Sequence, residues 1–331
     1  MAWTIYRSSD ASAPALDGQA GSLITVLDGV LVTGYGTQPA AGWTKDYTGT
    51  NKATFRNGAG ATSRKYYRVQ DDGPGAGTTK EARIRGFDTM SDVDTGTNEF
   101  PTAAQQANAG GSLVVRKSAA ATSTTRTWMI AADDKTAILF IQSGDTAGRW
   151  FVTYFGETFS YKSADAQCAA LIGRTTENVT TLYEVICWHI ASTTAGLSTV
   201  AAGHFMAGSV SGVGSVTCGK WSHPGAIVLA SGSDVAGQLA YPNPADSGLI
   251  LTPLFLYTTG TITLRGKLRG LFLPLHGSSN WTDGDTFSGT GSYAGRTFLI
   301  VEGCTTYGTL GSTESTGTLV LETSSSIAAT S

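Results

Sequence analysis

Between Arg126 and Gly156 three apolar runs follow one another with only short turn segments between them, and this narrows the fold more than any other feature of the chain. RTWMIAADDKTAILFIQS covers 126–143, with Ala132-Asp133-Asp134-Lys135 between its two apolar halves, and GRWFVTYFG follows at 148–156. Two extended runs about a short polar turn read as a hairpin, and the third run adds an antiparallel neighbour. The same style recurs on both sides. WTIYRS at 3–8, GWTKDYT, KATFRN, KYYRVQDD, EARIRGF and SLVVRK precede it; AALIGR, LYEVICWHI, AAGHFMAG, GAIVLAS, LILTPLFLY, TITLRGKLRGLFLPL, TFLIVEG and GTLVLET follow it. In the second half Gly, Ser, Asn and Asp separate these runs at a spacing of about 10–15 residues, the rhythm of antiparallel sandwiches and barrels. One segment breaks the pattern. In GSLITVLDGVLVTGYG the apolar residues Leu23, Val26, Leu27, Val30 and Leu31 fall at helical spacing, with Ser22 as the expected N-cap and Gly34 as the stop.

The expected fold is therefore mainly β, in antiparallel sandwich- or barrel-like sheets, with one short amphipathic helix near 22–33. The small polar stretch AAATSTT at 119–125 is the expected exposed loop. It divides the chain into an N-terminal β-rich part, 1–125, and a C-terminal sandwich-like part, 126–331, unless the two form one continuous unit.

Charge content limits the function classes. Asp, Glu, Lys and Arg make up 14% of the residues and the net charge is −3. About 25% is usual for soluble domains, so the surface is expected to be uncharged and polar, and copies repel one another weakly. With no basic run there is no electrostatic footprint for nucleic acid. The opening residues lack a basic-then-apolar leader pattern, and the best apolar run, LILTPLFLY at 249–257, is too short for a membrane span.

Candidate sites are few. NGAGATS at 57–63 and DDGPGAGTTK at 71–80 lack the P-loop spacing and read as surface loops. In SDVDTGTNEF, Asp92, Asp94, Asn98 and Glu99 offer hard oxygen ligands for a cation such as calcium, although the same residue types build Asx-turns. Trp128, Trp150 and Trp188 lie in apolar strands and read as core. Trp43 and Trp281 sit in Gly/Thr/Ser-rich contexts and are the expected contact aromatics for a protein or glycan partner. Cys168, Cys187, Cys218 and Cys304, with His189, His204, His223 and His276, match no zinc spacing. They read as buried free thiols, with a disulfide or a metal site as the alternatives. There is no G-x-S-x-G elbow, and the carboxylates sit mostly in turns where solvation is expected. No cofactor is expected and no enzymatic activity.

Three segments carry a family resemblance: DASAPALDGQAGSLITVLDGVLVTGYG at 10–36, RGFDTMSDVDTGTNEFPTAAQ at 85–105, and RGKLRGLFLPLHG…DGDTFSG…AGRTFLIVE across 265–302. Together they resemble structural (virion) proteins of tailed bacteriophages. The resemblance implies a virion component, assembled in the bacterial host cytoplasm with other phage virion proteins. It carries over no functional residue. A tail- or neck-associated protein in several symmetric copies is the leading expectation. A capsid decoration protein and a receptor- or glycan-binding tail module are the alternatives. The apolar stretch 249–275, interrupted by Pro253 and Pro274, is expected to supply core and part of the contact between copies.

Overall fold

The computed structural model of the chain describes residues 3–73, 78–145, 150–175, 177, 202–209, 212–221, 251–258, 263–274, 284–302 and 319–324. It is mainly β: a curled antiparallel sheet forms a half-barrel around one short helix. The expected hairpin is its spine. β9 (Thr127–Ala132) pairs with β10 (Thr136–Gln142) across the Asp133–Lys135 turn. β1 (Thr4–Arg7) lies on the outer side of β9, and β11 (Phe151–Glu157) lies beside β10. β13 (Ala169–Arg174) follows β11.

At β13 the sheet divides. The pairing of β11 with β13 ends at Ile172, and at Arg174 β13 meets β8 (Leu113–Arg116). From β8 the order runs through β5 (Glu81–Phe87), β4 (Tyr66–Gln70) and β3 (Lys52–Arg56) to β2 (Thr44–Gly49). β13 also pairs with β14 (Ala202–Ser209), which leads through β15 (Gly212–Trp221) and β16 (Leu251–Thr258) to β17 (Thr263–Pro274). β17 carries β12 (Phe159–Ser160) and β20 (Leu319–Glu322); β19 (Thr297–Glu302) and β18 (Thr286–Ser288) complete this arm. A small ribbon of β6 (Thr89–Met90) and β7 (Gly96–Thr97) stands apart. Strand pairing crosses residue 125, through β1 with β9 and β8 with β13, although residues 120–125 are an exposed loop.

The spine strands are buried on both faces, which explains why their sequences are apolar runs rather than alternations. In β10, Ala137, Leu139 and Ile141 join the helix-side core, while Ile138 and Phe140 join the opposite core. The helix-side core holds α1 (Ser22–Asp28) and its continuation as a π-helical turn at Gly29–Thr33. All five residues of the predicted apolar face are buried. The opposite core is closed by Leu254, Leu256, Leu268, Leu271, Leu299 and Leu321 of the second arm. A third cluster, Phe272, Phe298, Ile300 and Val320, lies with Leu251 in that arm.

The helix stops as expected, at Gly34 with φ 76°. Its start differs from expectation. Ser22 is the first helical residue, and its hydroxyl donates to the carbonyls of Asp17 and Gln19. The cap comes from elsewhere in the chain: Asp71, just past β4, accepts the Leu23 N–H at 2.8 Å.

Candidate functional site

The acidic turn 91–99 hangs from the β6–β7 ribbon, and its oxygen ligands do not converge. Asp92 Oδ1 accepts the backbone N–H groups of Asp94 (2.7 Å) and Thr95 (2.9 Å), which is an Asx-turn. Those hydrogen bonds hold the Asp92 carboxyl below its usual range. Asp94 pairs with Lys52 at 2.8 Å and approaches Arg68 at 3.5 Å. Glu99 pairs with Arg85 at 2.6 Å, and Asn98 donates to Asp88 Oδ2 at 3.2 Å. Each of the four groups therefore has its own protein partner, and the segment is a turn rather than a cation cage. Among the described residues no three His, Cys, Asp or Glu side chains form a metal-binding group.

Trp43 corrects a second expectation. It is 3% exposed, packs against Tyr67 and Phe155 with ring centroids 5.7 and 5.6 Å away, and donates its indole N–H to the Asp133 carbonyl at 2.7 Å. It is a member of the helix-side core, seated over the β9–β10 turn, not a surface contact. Its polar neighbours Thr44, Lys45 and Asp46 open the largely exposed strand β2, which is why the local composition resembles a surface. Trp281 lies outside the described residues, as do Trp188, Cys187, Cys304, His189, His223 and His276. Cys168 is a buried free thiol whose pKa burial pushes up to about 12, reinforced by Glu157 and Asp165. Such a thiol is unreactive at neutral pH.

The residues missed in the sequence are charged ones inside the protein. Among the described residues seven ion pairs have both side chains at most 9% exposed. Arg269 of β17 grips Asp133 with both terminal nitrogens, at 3.0 and 2.5 Å, and donates to Thr136 Oγ1 at 2.7 Å. It ties the spine hairpin to the second arm. Arg116 holds Asp145 through two bonds, at 2.8 and 2.7 Å, and also meets Glu81 at 3.1 Å; Arg174 reaches the same Glu81 oxygen at 3.4 Å. This network pins the fork where β8 joins β13. Arg265 bonds Asp165 and the Gly208 carbonyl. Arg296, beneath the rings of Phe272, Tyr293 and Phe298, forms a two-point contact with Glu322. Lys117 pairs with Asp71 under the helix start. Burial pushes the Asp71 carboxyl up to about 6 even against that pairing, and burial lowers Lys117. The carboxylates expected to be solvated thus include several that are desolvated and paired. The available signal was arginine within apolar strands, as in SLVVRK and RGKLRGLF.

Among the described residues a cleft of about 640 Å³ opens to solvent between the spine and the second arm. Arg7, Thr127, Gln142 and Trp150 line one wall; Leu299 and Val301 line the other. Trp150 is half-buried and meets the edge of Phe140 at 6.5 Å. Sequence pattern placed Trp150 in the core because GRWFVTYFG is almost wholly apolar, but it stands one residue before β11, where the second arm leaves it partly uncovered.

No family model matches the chain, and no curated protein matches it.

Proposed function

We propose that this chain is a non-enzymatic structural component of a tailed-phage virion, tail- or neck-associated, working by assembly in several copies with other virion proteins. The observation that carries the proposal is the inward placement of charge. In a chain with 14% charged residues, seven buried ion pairs among the described residues take ionic groups out of the surface and fasten strands distant in sequence. What remains outside is a weakly charged polar surface on a body with both spine faces covered, suited to repeated contact between copies. The three segments that resemble virion proteins contain parts of this frame: α1 in the first, β6–β7 in the second, and Arg265, Arg269 and Arg296 in the third.

Quantitative mass spectrometry of purified particles tests the proposal, together with light scattering of the isolated protein alone and with its neighbours. About a dozen copies or fewer per particle, in a closed symmetric ring, is the expected result. Copies on the order of hundreds would move the assignment to capsid decoration. A protein absent from purified particles, and monomeric with every neighbouring gene product, would overturn it.

A further inference from the structure

The cleft between the spine and the second arm has a composition that selects a ligand class, and the argument for it is independent of the virion proposal. Its volume, about 640 Å³, falls in the range of roughly 300–1,000 Å³ typical of small-molecule sites. One wall offers the half-buried Trp150 indole, with the Gln142 amide, the Thr127 hydroxyl and the Arg7 guanidinium around it. The other is apolar, with Leu299 and Val301. Among the described residues no carboxylate lines it. Arg7 is exposed, and it forms no ion pair among the described residues; the nearby Asp10 carboxylate instead accepts the Arg7 backbone N–H, the Tyr35 hydroxyl and the Gln38 amide.

Each element favours the same chemistry. An aromatic plate beside neutral donors and acceptors fits a molecule with an apolar ring face and a hydroxyl-bearing edge. An acyl chain would strip water from Gln142 and Thr127 without replacing their hydrogen bonds. Against the described lining residues, a nucleoside di- or triphosphate would bring several charges to Arg7 alone. Among the described lining residues Arg7 is the one cation, and at the rim it matches one carboxylate, which it can bind through two parallel bonds. We propose that this cleft binds a short acidic saccharide, with a pyranose ring on Trp150, its hydroxyls on Gln142 and Thr127, and its carboxylate on Arg7.

The test is calorimetric titration of the full chain with two matched pairs of probes: trigalacturonate against maltotriose, and 3′-sialyllactose against lactose. The expected result is saturable binding of at least one acidic probe, about tenfold tighter than its neutral counterpart. Arg7→Gln should erase that difference while leaving the neutral probe's affinity unchanged. Gln142→Ala should weaken both members of the pair about fivefold. Both positions are solvent-accessible, and circular dichroism checks that the variants keep the wild-type fold. The proposal is overturned if no probe binds saturably at millimolar concentration, if acidic and neutral probes bind equally, or if Arg7→Gln leaves the preference intact.

Discussion

Replacing Arg269 by Met removes a cation but keeps an apolar stem of similar length, so the loss isolates the ionic clamp between the spine hairpin and β17. In the native protein the Asp133 carboxylate, with its side chain 0% exposed, accepts four hydrogen bonds: two from Arg269 and two from the backbone N–H groups of Lys135 and Thr136 at 2.9 Å. Arg269→Met leaves two of the four and strands the charge where water cannot reach it. Hydrogen bonds to charged groups contribute about 1.5–3 kcal/mol each, and breaking a buried pair from one side costs about 3–5 kcal/mol. The expected destabilisation is therefore about 3–5 kcal/mol. At a urea m-value of about 3 kcal/mol/M this moves the midpoint down by about 1–2 M. Asp133→Asn keeps the turn acceptor but removes the negative charge, leaving Arg269 unpaired between the rings of Trp3 and Phe159. The double variant removes both charges, so its cost should fall short of the sum of the singles by more than about 1.5 kcal/mol. Additive single effects, or an Arg269→Met cost under about 1 kcal/mol, would refute the clamp.

Trp43→Ala should cost about 3–5 kcal/mol in the same unfolding assay, because it empties a core site and orphans the Asp133 carbonyl; a surface tryptophan would lose under about 1 kcal/mol. Gly86→Ala places a Cβ 2.2 Å from the Phe100 ring, which is 0% exposed, and should cost about 1–3 kcal/mol, read as a fall in Tm. The Asp71 carboxyl titrates near 6 in the folded chain against 3.8 as its ordinary value, so the native state binds this proton more tightly. Its contribution is fully present below about pH 4 and is lost as pH rises through about 6, and carbon-detected NMR of the carboxyl should show a midpoint near 6 rather than below 4. Because Asp94 and Glu99 are engaged by Lys52 and Arg85, millimolar calcium should leave Tm unchanged within about 1 °C; a larger rise would restore the cation site.

The strands and the helix were legible because their signals are local. The five residues of the helix face, the turn at Asp133–Lys135, and the runs that became β3, β4, β5, β8, β11, β13, β16, β17, β19 and β20 all appear in the sequence as period, apolarity and punctuation. β15, GVGSVTCGKW, was not, because its glycines and small polar residues imitate a loop. The candidate sites fared differently. Asp92, Asp94, Asn98 and Glu99 look like a ligand set only until Lys52, Arg68, Asp88 and Arg85 are placed beside them. Those partners arrive from β3, β4, β5 and the residue after it, through sheet pairing rather than proximity in the chain.

The chain by itself determined that short extended segments and one amphipathic helix would form, because side-chain period and turn chemistry act over a handful of residues. Only the tertiary structure decided which face of each strand meets another layer, and so which polar groups are desolvated. Asp133 and Arg269 are 136 positions apart. Nothing in either neighbourhood specifies their contact, which arises where the curled sheet returns upon itself and brings the two buried charges together. The same return of the sheet buries Trp43, against the sequence-based expectation, while Trp150 packs against the core from the lip of a cleft.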